Sequence, residues 1–100
     1  MKTTIEDKDG IITIVFEGRM DTVSSPEAQE AIQPVFSSKS QKVFIDCSNL
    51  EYVSSSGLRI FLSLAIDTQS SDKRIFITGW NDYVKNLFEM TGFTELFEYK

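Results

Sequence analysis

One hundred residues, 41% of them hydrophobic and 25% charged, fit one packed domain and leave no room for a second core or a disordered chain. Fifteen acidic against ten basic residues give a formal charge of −5, which opposes binding to nucleic acid or anionic lipid. With no histidine and with Cys47 the sole cysteine, a Ser-His-Asp triad, a Cys-His pair, an ordinary zinc site and an internal disulfide are all excluded.

In chain order, Thr3–Asp7 and Ile11–Glu17 are predicted strands, joined at Lys8-Asp9-Gly10, where Asp-Gly signals a hairpin. The start, Met1-Lys2-Thr3-Thr4-Ile5-Glu6, lacks the apolar run of a signal peptide, so a cytoplasmic location is expected. The second strand is apolar on both faces in its middle, which predicts a central strand covered on more than one side. A polar loop, Gly18–Ser24, leads into Ser25-Pro26-Glu27, the order N-cap, first-turn proline, first-turn acid. Ala28, Ala31, Ile32 and Val35 follow at helical spacing. Pro34 cannot donate to the carbonyl of Glu30 and predicts a kink or an early end there.

Lys42–Asp46 reads as a third strand and Arg74–Thr78 as a fourth. Between them Leu58, Phe61, Leu62 and Ala65 repeat at helical spacing, and Arg59 and Ser63 interrupt the longest apolar run, so no membrane insertion is expected. A last helix is predicted to start near Asn81 or Asp82, to bury Val84, Leu87 and Phe88, and to end at Gly92. Trp80 is expected to anchor it. Phe93, Leu96 and Phe97 would close the core, and Cys47 reads as a small buried hydrophobe. Single crossovers between strands imply parallel neighbours, with one antiparallel pair from the opening hairpin. The fold class is therefore α/β: a small mixed β-sheet with three to four helices, one domain over residues 1–100.

Val53-Ser54-Ser55-Ser56-Gly57-Leu58-Arg59 is the most informative segment. It lies at a strand-to-helix turn, where free amides and the helix dipole favour a serine oxygen or an anion. Ser55 or Ser56 is expected to cap the helix. The nucleophile-elbow pattern G-x-S-x-G is absent, since only the trailing Gly57 is present. On the following helix Leu58, Phe61, Leu62, Ala65 and Ile66 share one face, while Ile60 and Leu64 fall on another. Either a neighbouring helix covers these two, or they belong to a partner-binding patch. Asp21 and Asp46 read as turn acids, and no cofactor is expected.

Val43-Phe44-Ile45-Asp46-Cys47-Ser48-Asn49-Leu50-Glu51-Tyr52-Val53-Ser54-Ser55-Ser56-Gly57-Leu58-Arg59 resembles the signature of STAS domains, in particular the stand-alone bacterial anti-sigma-factor antagonists. Glu17-Gly18-Arg19-Met20-Asp21 and Leu87-Phe88-Glu89-Met90-Thr91-Gly92-Phe93 resemble two further segments of that family, in the same order and spacing. The resemblance implies a STAS-like sandwich and a partner-switching phosphoprotein that is not an enzyme and regulates transcription by freeing a sigma factor. The unmodified protein would bind an anti-sigma factor that is also a serine kinase; phosphorylation would release it, and a serine phosphatase would reverse the change. By position the phosphoacceptor carries over to Ser55, with Ser54 and Ser56 as alternatives. Where the family's common form has Asp, this chain has Ser54. The implied partner-binding residues are Asp21, Ser54, Ser56, Gly57, Leu58, Ile60 and Leu64. An unphosphorylated STAS-type accessory or ligand-sensing subunit of a membrane transport system is the alternative function.

Overall fold

The computed structural model describes the whole chain, Met1–Lys100. Five strands form one sheet in sequential order: β1 (Lys2–Lys8), β2 (Ile11–Met20), β3 (Lys42–Val53), β4 (Arg74–Thr78) and β5 (Glu98–Tyr99). β1 and β2 pair antiparallel, and every other neighbouring pair is parallel. The hairpin closes on Asp9 at φ 55° and Gly10 at φ 79°, the two left-handed residues that a type I′ turn requires. Four helices connect the strands: α1 (Ser25–Ala31), α2 (Gln33–Ser37), α3 (Ser55–Ser70) and α4 (Asp82–Thr91). The interruption between α1 and α2 falls at Ile32, two residues before Pro34, as the missing N–H of that proline demands.

β2 is central, but the helices cover only one face of the sheet. Ile12, Ile14 and Phe16 are fully buried, whereas Thr13 and Val15, pointing the other way, remain half-exposed. The expectation that β2 is covered on more than one side is corrected to this extent. On the open face, Phe44 and Phe76 stack with ring centroids 4.7 Å apart, and Arg74 and Lys100 lie over Phe76 at 5.0 and 4.9 Å. Long cationic side chains thus shield an aromatic pair that no helix reaches.

The covered face holds the core. Phe61 of α3 sits at its centre, edge-on to Phe16 at 5.5 Å, to Phe88 at 5.0 Å and to Phe97 at 6.3 Å. Trp80 packs edge-on to Phe88 and stacks on Tyr99 at 4.1 Å, so it does anchor α4. Cys47 is buried, and that burial, followed by the nearby Asp46 charge, pushes its thiol pKa up to about 12, which makes it a poor nucleophile.

The N-cap of α1 is Ser24, with no side-chain cap bond, which corrects the expectation of Ser25, and β1 is one residue longer at each end than expected. Three further boundaries differ from the sequence reading. β2 continues to Met20 and β3 to Val53, through residues read as loop. Register shifts between Val15 and Glu17 and between Gly18 and Arg19 keep the two strands paired while breaking the alternation that marks a regular strand. The third is the two-residue strand β5, which has too few residues for a period to show.

Candidate functional site

Because β2, β3 and β4 run parallel, their carboxyl ends share one edge of the sheet. That edge gathers the loop after Met20, the serine turn after Val53 and the start of α4. Direct hydrogen bonds join them. The amide of Ser54 donates to the carbonyl of Met20 at 2.8 Å, the Asn81 side chain donates to the Leu50 carbonyl at 3.0 Å, and the Tyr83 hydroxyl reaches the Val53 carbonyl at 3.4 Å.

At the turn, Ser54 is extended, with φ −85° and ψ 176°, and its side chain accepts from the amide of Gly57 at 3.2 Å. Ser54 is therefore the N-cap, which corrects the expectation that Ser55 or Ser56 has that role. The cap occupies Ser54 and leaves the first helical residue, Ser55, exposed. Ser56 is half-buried and lines a shallow groove of about 350 Å³ between α1 and α3, together with Thr22, Ser25, Gln29 and Arg59. Arg59, one turn beyond Ser55, is exposed and forms no ion pair; the chain's one ion pair joins Arg74 and Glu98.

Gly57 is buried. A Cβ there would lie 2.8 Å from Cγ and 2.9 Å from Sδ of Met20, and 2.9 Å from Cγ1 of Val53. The first turn of α3 can approach the ends of β2 and β3 only because this position has no side chain, and that approach sets where Ser55 emerges.

The remaining expected partner residues divide. Leu58 is half-buried and packs against the core, while Ile60 and Leu64 are 2% and 0% exposed. Ile60 also lines the floor of the groove between α1 and α3. The surface role expected of Ile60 and Leu64 is corrected to a core role, and the exposed apolar residue on α3 is Ile66, at 55%.

Asp21 does lie beside the serine turn. Its Oδ1 accepts from the amides of Val23 at 3.1 Å and Ser24 at 2.9 Å. Those bonds, that of the Ser24 amide and its hydroxyl first, hold the carboxyl below the usual carboxylate range. Asp46 is elsewhere: it pairs in register with Val15 and accepts from the amide and hydroxyl of Ser48 at 2.9 and 2.6 Å. Asp21 lies six residue steps along the chain from Val15, about 20 Å in an extended strand, so the two acids are well separated.

Sequence reasoning missed an aromatic cluster at the same edge. Tyr52 and Tyr83 stack at 6.0 Å, and the Arg19 guanidinium lies 4.4 Å over the Tyr52 ring. Arg19 and Tyr52 are partners in the β2–β3 register. Only that register, disguised by the bulges, would have brought them together.

The Ser54 cap has a measurable consequence. Ser54→Ala is expected to lower stability by about 1 kcal/mol, and Ser54→Asp to restore it, since Asp caps as well as Ser and adds favourable charge at the dipole's positive end. Urea melts of the three proteins check this. An unchanged midpoint in Ser54→Ala would mean that the cap contributes nothing.

One end of the sheet thus presents an exposed serine, a groove and an aromatic-cation cluster on a small α/β domain. The family model of the STAS domain matches residues 2–100, and the chain belongs to that family. It is 28% identical over 96 residues to the anti-sigma-B factor antagonist of Staphylococcus aureus, across 96% of this chain and 87% of that protein. To the Staphylococcus epidermidis protein of the same name it is 26% identical over 88 residues, across 88% of this chain and 82% of the relative. Its fold is shared with an anti-sigma factor antagonist from Mycobacterium paratuberculosis, at TM-score 0.86 and 23% identity, over 98% of this chain and 83% of the other. It is shared too with the Bacillus protein SpoIIAA in its phosphorylated form, at TM-score 0.76 and 13% identity, over 99% and 91% of the two chains. No helix here is long and apolar enough to cross a membrane.

Proposed function

We propose that this chain is an anti-sigma-factor antagonist that works by partner switching. Unmodified, it binds an anti-sigma factor that is also a serine kinase; phosphorylation of Ser55 releases that partner, and a serine phosphatase restores the binding form. It acts as a cytoplasmic regulatory domain, not an enzyme, and is itself the substrate of its partners.

The observation that carries this reading is the division of labour at the turn. Ser54 caps the helix, so the Ser55 hydroxyl is exposed and free of that duty, at a helix start where a phosphate is electrostatically favoured. The same observation explains why Ser54 can stand where the family's common form has Asp. Both residues serve as N-caps with equal facility, so the turn keeps its shape and Ser55 its exposure.

Incubation with ATP and the anti-sigma factor of the same organism, followed by intact mass measurement, tests the assignment. One phosphate is expected on the wild-type protein and none on Ser55→Ala. Full modification of Ser55→Ala would move the site to Ser54 or Ser56, and no modification of the wild type would remove the switch.

A further inference from the structure

Parallel strands are ordinarily covered on both faces, yet β2, β3 and β4 run parallel under helices on one face alone. On the bare face the strand register sets side chains in rows. Lys8, Ile11, Lys42 and Arg74 form the row at the amino ends of the parallel strands. Thr13, Phe44 and Phe76 form the next, and Val15 and Asp46 lie in the third. Over β4, Arg74 and Lys100 shield Phe76, which is 2% exposed. Ile11 is 38% exposed and Thr13, Val15 and Phe44 are half-exposed, so the uncovered apolar strip lies on β2 and β3.

Charge is divided between the two ends of that strip. Cations on neighbouring strands repel, and in the first row only Arg74 is neutralised, by Glu98; Lys8 and Lys42 have no ion-pair partner. Four residues along β3, about 13 Å away, stands Asp46. Its Oδ1 accepts from the amide and hydroxyl of Ser48, and its Oδ2 accepts no bond from within the chain. A positive end, an apolar middle and a negative end are complementary to the same face turned end for end.

We propose that two copies of this chain pair through the bare face, sheet on sheet, about a two-fold axis that runs across the strands along the Thr13, Phe44 and Phe76 row. That rotation sets Lys42 over Asp46 of the second copy and Ile11 over its Val15, in both directions, and seats Phe44 on its own counterpart. An axis along the strands would set the cationic row against itself. The like pair created by the transverse axis, Glu6 with its counterpart, lies at the rim on the edge strand β1, in water, where repulsion is small. Four strands by the roughly 20 Å from Ile11 to Glu17 give about 500 Å² on each copy, about 1,000 Å² in all, the size of a weak association. Because the axis reverses strand direction, the two serine turns point to opposite ends of the pair. Both stay open, and the pair is bivalent for whatever docks there.

Sedimentation of the full chain at low salt, from about 10 µM to about 1 mM, tests this. The weight-average mass of the wild type is expected to rise from that of one chain toward that of two. Lys42→Glu and Asp46→Lys are each expected to weaken association at least about tenfold, since each puts two like pairs into its own dimer. An equimolar mixture of the two is expected to return to within about threefold of wild type, because every cross pair in the mixed dimer is again opposite in sign. Val15→Asp, seated over Ile11, is expected to weaken association about tenfold or more and leaves the Ser48 bonds of Asp46 intact; circular dichroism confirms that each variant is folded. A wild type that stays monomeric at 1 mM would overturn the proposal. So would self-association that Lys42→Glu and Val15→Asp leave unchanged, which would place the contact on another surface, such as the free edge of β1. Stronger association of Lys42→Glu would select the axis along the strands, and folded single variants that do not recombine would equally reject the transverse one.

Discussion

Phosphate on Ser55 is expected to lower affinity for the anti-sigma factor by at least about 100-fold while leaving the fold intact and its melting temperature unchanged or slightly raised. The two halves of this expectation have different causes. Within the chain, a phosphoserine adds about −1.5 to −2 charge at the positive end of the α3 dipole, where such charge is favourable by about 0.3–1 kcal/mol. Arg59, exposed, without an ion-pair partner and one turn further along, adds an attraction of the type that stabilises helices when the negative group precedes the positive one. In a domain of this size, 1 kcal/mol corresponds to about 4–8 °C in melting temperature, so a rise of up to about 8 °C is the most that is expected.

Across the interface the same charge acts in the opposite sense. A partner seated over Ser55 must desolvate the phosphate or meet it with groups it had no need of before, and each 1.4 kcal/mol so lost is a factor of ten in affinity. Scanning calorimetry and titration of the two purified forms separate these effects. A fall of more than about 10 °C on phosphorylation would indicate release by unfolding, an effect larger than any of the local terms above can supply. High salt is expected to erase the stabilisation within the chain, since exposed charges are screened over a few ångströms at molar ionic strength.

The sheet was legible from sequence because its central strands carry short unbroken apolar runs, and Val43-Phe44-Ile45 and Ile75-Phe76-Ile77 are found where such runs place them. Turn chemistry was equally readable at Asp9-Gly10, at Asn81, which caps α4 by accepting from Val84 at 2.8 Å, and at Gly92, where that helix ends. What escaped was set by tertiary register. The identity of the α3 cap depends on where β3 stops, and β3 runs seven residues past Asp46, where its apolar run ends. Ser54 is thereby drawn into the last strand bond with Met20 and becomes the cap, so the helix begins at Ser55, one or two residues earlier than a cap at Ser55 or Ser56 would place it. The cluster of Arg19, Tyr52 and Tyr83 was invisible for the same reason.

The orientation of α3 is the point on which sequence periodicity left two answers, and the structure makes them experimentally distinct. Ile60 and Leu64 face inward, so Leu64→Asp is expected to leave the protein unfolded at room temperature. The substitution removes a fully buried leucine, about 2–5 kcal/mol by itself, and puts a carboxylate without a partner in its place. Their sum reaches the whole stability of about 5–15 kcal/mol that a domain of this kind has. Ile66→Asp, on the same helix but at a site 55% exposed, is expected to change stability by no more than about 0.5 kcal/mol. Far-ultraviolet circular dichroism with urea titration of the pair decides the orientation. A folded Leu64→Asp beside an unfolded Ile66→Asp would require α3 to be rotated by about half a turn. Such a rotation would also carry Phe61 away from Phe16 and Phe88, so it can be checked against the aromatic core that this helix completes.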